Sequence, residues 1–323
     1  MAADLSPLLV ILGPTGTGKS QLALALAKRF GAEIVNFDSI QVYRRLDIGS
    51  AKVPPAERGS IPHHLIDVVD IDQELTAGAY SRLAREAILT VQRNQRLPIL
   101  VGGTGFYLRA LLDGLSPAPE RNERLRARLS HVLARRPGAL HRFLRRYDPA
   151  AAKRIHPNDR QKLIRAVELS LLTRQTVSKV QSLPRNSLQG AAILKFGLAP
   201  QKPLLHKHLN ERSAWMFRNG LLAETQTILD AGFSPSSKPL QALGYRQAVG
   251  VITGSLPLED AIRECQTKTR QYAKRQMTWF RKERGIEWLR GFGHEESIQV
   301  RAGERADAFL TSPNRRNRIP SFD

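Results

Sequence analysis

The chain has 323 residues, 41% hydrophobic and 24% charged, enough for one sizeable core plus a second domain or a large insertion. Its 50 Lys+Arg against 29 Asp+Glu leave a formal charge of +21, a surplus that calls for a polyanionic partner, nucleic acid first and an acidic membrane surface second. The lone Cys265 excludes an internal disulfide, no apolar run approaches the ~20 residues that span a bilayer, and Met1–Val10 carries no signal-peptide pattern, so a cytoplasmic chain with no membrane partner is expected.

Leu8–Leu12 reads as a buried strand, Lys19–Phe30 as a helix without breakers, and Glu33–Phe37 as a second strand. Leu65–Val69 is a candidate short third strand. Ala77–Arg93 has the spacing of an amphipathic helix, and Pro98–Val101 reads as a further core strand. Strands separated by helices imply a parallel sheet covered on both faces, hence an α/β fold.

After about Pro117 no strand-like run appears until Ala192–Phe196. Between Pro119 and Arg185 there are 17 Lys+Arg and five acids, a surplus of 12, with Arg135, Arg136, Arg142, Arg145 and Arg146 in one block. This reads as a mainly helical insertion, 117–191, carrying a basic face; a merely solvated helical surface is the alternative. The core would then comprise 1–116 and 192–291, with a long helix from Leu258 to about Arg284 that ends at Gly285. Residues 292–323 are polar and expected to form a weakly ordered tail, with a basic cluster at Arg315, Arg316 and Arg318.

Gly13-Pro14-Thr15-Gly16-Thr17-Gly18-Lys19-Ser20 matches the phosphate-loop pattern in full, directly after a strand and before a helix. Its glycines let successive N–H groups turn inward on an anion, the helix N-terminus adds partial positive charge, and Lys19 adds a full one. Ser20 is placed to ligate Mg²⁺. The pattern specifies a diphosphate or triphosphate (ATP by motif) without saying which, within a P-loop NTPase-like sheet.

A nucleotide hydrolase usually shows a second strand ending in a metal-holding Asp. Ile99–Val101 instead runs into Gly102-Gly103-Thr104-Gly105. Asp38, closing the second strand, lies at the carboxyl edge of the sheet where ligands bind. It can hold metal, act as a general base or simply cap its turn.

These motifs come in order with Asp38-Ser39-Ile40-Gln41-Val42-Tyr43, Asp47-Ile48-Gly49-Ser50-Ala51-Lys52, Pro62-His63-His64-Leu65-Ile66-Asp67, Val101–Gly105 and Ile155-His156-Pro157-Asn158-Asp159. Leu243-Gly244-Tyr245-Arg246-Gln247 and Tyr272–Arg281 follow. Together they resemble the bacterial tRNA dimethylallyltransferase family over roughly residues 8–290. Gly16 and Thr17 stand where that family often has Ala or Gly and then Ser, and the chain after about Gly291 has no counterpart.

The resemblance implies a phosphate loop that holds dimethylallyl diphosphate with Mg²⁺, and an acceptor that is N6 of the adenine 3′ of a tRNA anticodon. It makes Asp38 the base, with Lys19, Thr104 and Arg212 beside the reacting groups. It assigns contact with the tRNA anticodon stem-loop to Asp38-Ser39-Ile40-Gln41, Thr104, Arg126 and Gln161-Lys162-Leu163-Ile164-Arg165. The same contact is assigned to Gln241-Ala242-Leu243-Gly244-Tyr245-Arg246 and Lys274-Arg275-Gln276-Met277-Thr278-Trp279-Phe280-Arg281. By helical spacing Trp279 reads as core, leaving Lys274, Arg275 and Arg281 for phosphates. His156 is expected to position the segment leading to Gln161, since no His/Cys cluster has ligand spacing. A monomer is expected.

Three rivals remain. A prenyltransferase acting on free AMP, ADP or ATP would share the core without the basic insertion. A small-molecule kinase would use ATP with Asp38 as base. A non-enzymatic RNA-binding protein would have no need of an intact Lys19, Ser20 and Asp38.

Overall fold

The computed structural model describes residues 7–312; Arg315, Arg316 and Arg318 lie outside the described residues. The chain divides into two units, one containing the described residues up to Leu111 and from Gln189 onward, the other Leu112–Leu188. The second unit thus begins and ends a few residues upstream of the 117 and 191 read from composition.

The first unit opens with Leu8–Leu12 (β1), Lys19–Phe30 (α1), Glu33–Asn36 (β2), Pro55–Arg58 (α2) and His63–His64 (β3). Ala77–Arg93 (α3), Pro98–Gly102 (β4) and Gly105–Leu112 (α4) follow. The second unit consists of Glu123–Arg135 (α5), Ala139–Tyr147 (α6), Pro149–Arg154 (α7), Arg160–Thr173 (α8) and Val177–Ser182 (α9). The chain then returns through Ile193–Leu198 (β5), Lys202–Arg218 (α10), Leu221–Asp230 (α11), Tyr245–Ile252 (α12), Leu258–Phe280 (α13), Ile286–Leu289 (β6) and Glu296–Thr311 (α14).

The six strands make one parallel sheet in the order β3-β2-β4-β1-β5-β6. Ile11 of β1 is in register with Val101 on one side and Phe196 on the other. β1 and β4 are buried at every position, as continuous apolar strands must be when helices cover both faces. The order sets β2, β4, β1 and β5 side by side, so their ends share one region of the carboxyl edge, where a ligand crevice forms. In the second unit, leucines at helical spacing (Leu129, Leu133, Leu140, Leu144) close a separate small core with Leu163 and Val167. Among the described residues no helix is long and apolar enough to cross a membrane.

Three expectations are corrected. The short third strand lies at His63–His64 rather than Leu65–Val69, because Leu65 and Asp67 adopt φ of 61° and 58° and break the extended course. The long helix ends at Phe280, four residues early; beyond it Glu283 turns to pair with Arg109 at 2.5 Å, and the Arg284 carbonyl accepts from Lys195 Nζ at 3.2 Å. Residues 292–312 are not a loose tail. Phe292 is buried, and α14 sets Ile298, Ala302 and Ala306 into the core beside α1. Small side chains allow that approach: Gly303 lies directly under the Arg29 guanidinium, and Arg29 pairs with Asp307. A polar helix that packs through alanine and glycine has too little apolar content to be read as core from pattern alone.

Candidate active site

Between β1 and α1 the chain makes the glycine-rich turn of the phosphate-loop pattern. Gly18 has φ 82°, and a Cβ there would fall 2.7 Å from the Gly293 nitrogen, so only glycine fits both the turn and the close approach. The loop is fastened on three sides by distant residues. Gly293 N–H donates to Thr17 O at 2.9 Å, Arg212 Nη2 to Thr15 Oγ1 at 2.7 Å, and Thr15 N–H to Gln276 Oε1 at 2.9 Å. Internally Thr17 Oγ1 and Lys19 Nζ both donate to Pro14 O, at 2.9 and 2.8 Å.

The carboxylate of Asp38 stands just past β2. Its Oδ1 accepts the Ile40 N–H at 2.9 Å, which fixes the side chain over its own turn as an Asp closing a strand commonly does. Asn36 holds the approach from below, accepting the Asp38 N–H at 3.2 Å and donating to Leu65 O at 3.0 Å. Thr104, past β4, accepts the Ser39 N–H at 3.0 Å and donates to Ser39 Oγ at 3.2 Å, so the β2 and β4 loops are pinned together. Gln276 continues the bracing by donating to Gly103 O at 2.8 Å.

Lys19, Ser20, Asp38 and Arg212 all line a single cavity of about 620 Å³ in the first unit. Burial is the main influence on Lys19, pulling its ammonium down to about 8; Asp38 works against that shift and Arg212 with it. Burial also lowers Arg212, and it raises the phenol of Tyr272, which additionally feels Asp38. One carboxylate therefore interacts electrostatically with two cations and a phenol around the same space. Among the described residues no group of three or more His, Cys, Asp and Glu side chains forms a metal cage.

Asp47, Lys52 and Asp67, which also line the cavity, come from two motifs to which no role was assigned. Lys52, almost wholly buried, joins Asp47 at 2.8 Å, Asp67 at 2.5 Å and Tyr43 O at 2.6 Å. Glu224 accepts the backbone N–H groups of Asp47 and Ile48 at 3.1 and 2.8 Å and the Tyr245 hydroxyl at 2.5 Å. Trp215, 56% exposed, also lines the cavity. The signals for these residues were a lysine and an aspartate in one motif, a second aspartate in another, and a tryptophan without apolar neighbours at core spacing.

Several positions expected to meet tRNA face inward. Tyr245 is fully buried, its hydroxyl taken by Glu224; Gln276 is buried as a brace; Phe280 is fully buried. Leu163 and Ile164 belong to the small core of the second unit, and Gly244 is buried at the start of α12. Gln41 donates to Ser50 O and Ala51 O at 3.1 and 3.2 Å. Arg126 and Arg165 both pair with the fully buried Glu168, at 3.2 and 2.8 Å. Burial pushes the Glu168 carboxyl up, but hydrogen bonds from Arg165 and the Asn122 N–H, with the charges of Arg165 and Arg126, hold it below the usual range. Gln161, Lys162, Gln241, Arg246, Lys274, Arg275, Thr278 and Arg281 are exposed, while Ala242, Leu243, Met277 and Trp279 are partly so. Trp279 is half-core: its ring lies under Arg109 at 4.6 Å, and its Nε1 has no partner among the described residues.

A family model described as IPP transferase matches residues 41–283. The chain belongs to the IPP transferase family. It is 51% identical over 304 residues to the tRNA dimethylallyltransferase of Solibacter usitatus, covering 94% of this chain and 99% of the relative. It is 50% identical over 306 residues to that of Koribacter versatilis, covering 94% and 98%. Among solved structures, the full-length tRNA isopentenylpyrophosphate transferase of Bacillus halodurans superposes with a TM-score of 0.69 at 32% identity, covering 94% and 96% of the two chains. A eukaryotic dimethylallyltransferase acting on tRNA superposes with a TM-score of 0.78 at 29% identity, covering 94% of this chain and 78% of that one. The family's parallel sheet and phosphate loop are those described above.

Proposed function

We propose that this member of the family transfers a dimethylallyl group from dimethylallyl diphosphate to N6 of the adenine immediately 3′ of the anticodon in tRNA, releasing diphosphate. The observation that carries this reading is the meeting of Lys19, Arg212 and Asp38 around one cavity at the carboxyl edge of the sheet. Two cations and the loop N–H groups suit a leaving diphosphate; a carboxylate on the same cavity suits the removal of a proton from an amine.

In the proposed step the N6 lone pair forms a bond to C1 of the allyl group while the C1–O bond breaks, its electron pair departing with the diphosphate. Asp38 takes the proton that N6 sheds. Its Oδ1 is occupied by the Ile40 N–H, which leaves Oδ2 for that task. Thr104 fixes Ser39 and hence the turn that aims the carboxylate. Lys19 and Arg212 bind and neutralise the leaving group; Gln276 and Gly293 keep the loop N–H groups in place for it.

The donor set fits Mg²⁺: the Ser20 hydroxyl lines the cavity with the phosphate loop, a site type in which one or two protein oxygens and the substrate phosphates complete the coordination. Ser20 would hold the ion, and when bound it would neutralise charge growing on the diphosphate.

The basic insertion favours tRNA over free nucleotides as the acceptor. Transfer of labelled dimethylallyl diphosphate, run with Mg²⁺ and without ATP on unmodified tRNA beside free AMP, tests the proposal. Label in tRNA alone is expected. Label in AMP alone would move the chain to the nucleotide-prenylating class, and no label in either would return the phosphate loop to a kinase role.

A further inference from the structure

In the second unit, two adjoining stripes of the nine-residue helix α6 meet different surroundings. Leu140 and Leu144 are buried in the unit's core, while Phe143 and Tyr147, one turn apart, are 36% and 40% exposed and stand outside that core. Their rings stack at 5.5 Å with planes 17° apart. They line a groove of about 770 Å³ with Arg136, Arg142, Arg145 and Arg146. α6 contains no acid, and none of these four arginines meets a carboxylate among the described residues. Arg142 is tied only to the backbone, donating to Pro137 O at 3.3 Å.

Elsewhere in the same unit Arg126 and Arg165 converge on Glu168 and Lys162 pairs with Asp159 at 2.8 Å; what distinguishes the α6 arginines is that they surround an exposed aromatic stack. Four unpaired guanidiniums around an exposed aromatic stack are costly in an isolated chain, through mutual repulsion and wetted ring surface. Single-stranded nucleic acid relieves both costs, because every base offers a π-face to a ring and the phosphates on either side take the arginines. A membrane surface fits less well. The rings lie in a groove rimmed by charge instead of projecting past it, and α6 is only nine residues long.

We propose that the α6 groove is an RNA-binding site in its own right, in which an unpaired base of a tRNA loop continues the Phe143–Tyr147 stack and the flanking phosphates lie on Arg142, Arg145 and Arg146. The proposal rests on the reading that tRNA is the acceptor. It adds a base-stacking contact on α6, separate from the positions on α8 to which contact was assigned by resemblance.

Full-length parent and variants are titrated with a fluorescent unmodified tRNA transcript across a range of salt, and tRNA-dependent prenyl transfer is measured in parallel. Phe143→Ala with Tyr147→Ala is expected to weaken binding about 10-fold with little change in salt slope, as for loss of one stacked base. KM for tRNA should rise while kcat at saturating tRNA holds. Arg145→Gln with Arg146→Gln should lower the slope of log affinity against log salt by about 2. Phe143→Tyr, which keeps a ring, should bind as the parent does, and so should Leu171→Ala, which removes exposed apolar surface from another helix of the unit. Because the four groove residues to be changed are exposed, melting temperatures should hold throughout. Parent-like affinity in both the aromatic and the arginine variants, with parent-like transfer, would overturn the α6 site and leave tRNA as the acceptor. Loss of binding to phosphatidylglycerol vesicles in the variants with tRNA affinity intact would make the groove a membrane contact and likewise overturn it. A parent chain that neither binds nor modifies tRNA would instead remove the reading on which the site rests.

Discussion

Gln276 accepts the backbone N–H of Thr15 at 2.9 Å across 261 residues of sequence, and the other atom of the same amide donates to Gly103 O at 2.8 Å. One buried side chain thus sets the spacing between the phosphate loop and the loop after β4. A Cβ on Gly103 would lie 2.5 Å from that amide, so the fit is close on both sides.

Gln276→Ala should therefore leave two polar backbone groups without partners, at a cost of about 1–3 kcal/mol. The expected result is a lower melting temperature with a raised KM for dimethylallyl diphosphate. Gln276→Glu keeps the acceptor for Thr15 but loses the donor to Gly103 and adds charge near Asp38, so its KM should rise further. Parent-like KM in both variants would show that the brace does not set the loop.

Asp38→Asn preserves the acceptor for the Ile40 N–H and removes the base. A loss of about 10²–10⁴ in kcat is expected, with tRNA affinity near the parent's. Turnover close to the parent rate in a single-turnover assay would assign the proton to another group.

Lys19, lowered by burial to about 8 from its ordinary 10.5, is half deprotonated near pH 8 in the folded chain. Between about 8 and 10.5 the unfolded chain holds a proton that the folded one has released, so this group's contribution to stability rises with pH in that window. Binding a diphosphate favours the ammonium form. Calorimetry at pH 8.5 in buffers of different ionisation enthalpy should then show proton uptake on binding dimethylallyl diphosphate, and KM for the donor should climb above pH 8. Absence of uptake, or uptake undiminished in Lys19→Met, would contradict the assignment.

Arg165 lies on Glu168, which is fully buried, so its loss is first a structural event. Arg165→Ala should destabilise the chain by about 1–3 kcal/mol, since Arg126 and the Asn122 N–H still serve the carboxylate. Adding Glu168→Ala should recover part of that loss. A strictly additive double mutant in chemical denaturation would show the pair to be uncoupled.

Tyr245→Phe removes the hydroxyl bond to Glu224, and Glu224→Ala releases the 47–49 turn on the cavity wall. Expected losses are about 1 kcal/mol for the first and more for the second, with donor KM raised only in the second. Equal KM values in both variants and the parent would detach this wall from substrate binding.

The phosphate loop was legible in the sequence because an anion cradle between a strand and a helix demands glycines and a lysine at fixed spacing. β1, α1, α3 and β4 were legible because continuous apolar runs and helical stripes reflect burial directly. The burial of Gln276, Tyr245 and Leu163 was not legible because their motifs mark a neighbourhood, whereas the direction of each side chain depends on the turn of its helix and on partners far along the chain. Short β6 and small-residue α14 escaped for a related reason: both are held by the first unit's core, and neither has an apolar pattern strong enough to announce it. The α6 arginines were visible as a basic block, but their lack of carboxylate partners emerges only from the folded unit.

Gly293 sits against Gly18 and donates to Thr17, just before α14 packs along α1. The ribosome makes the phosphate loop well before the groups that fasten it (Arg212, Gln276 and Gly293), all of which lie far downstream in the sequence. A nascent chain therefore carries its anion-binding sequence for most of its synthesis without the clasps that shape it. A chain stopped short of residue 293 would possess the whole motif yet lack the backbone bond from Gly293 to Thr17 that clasps it.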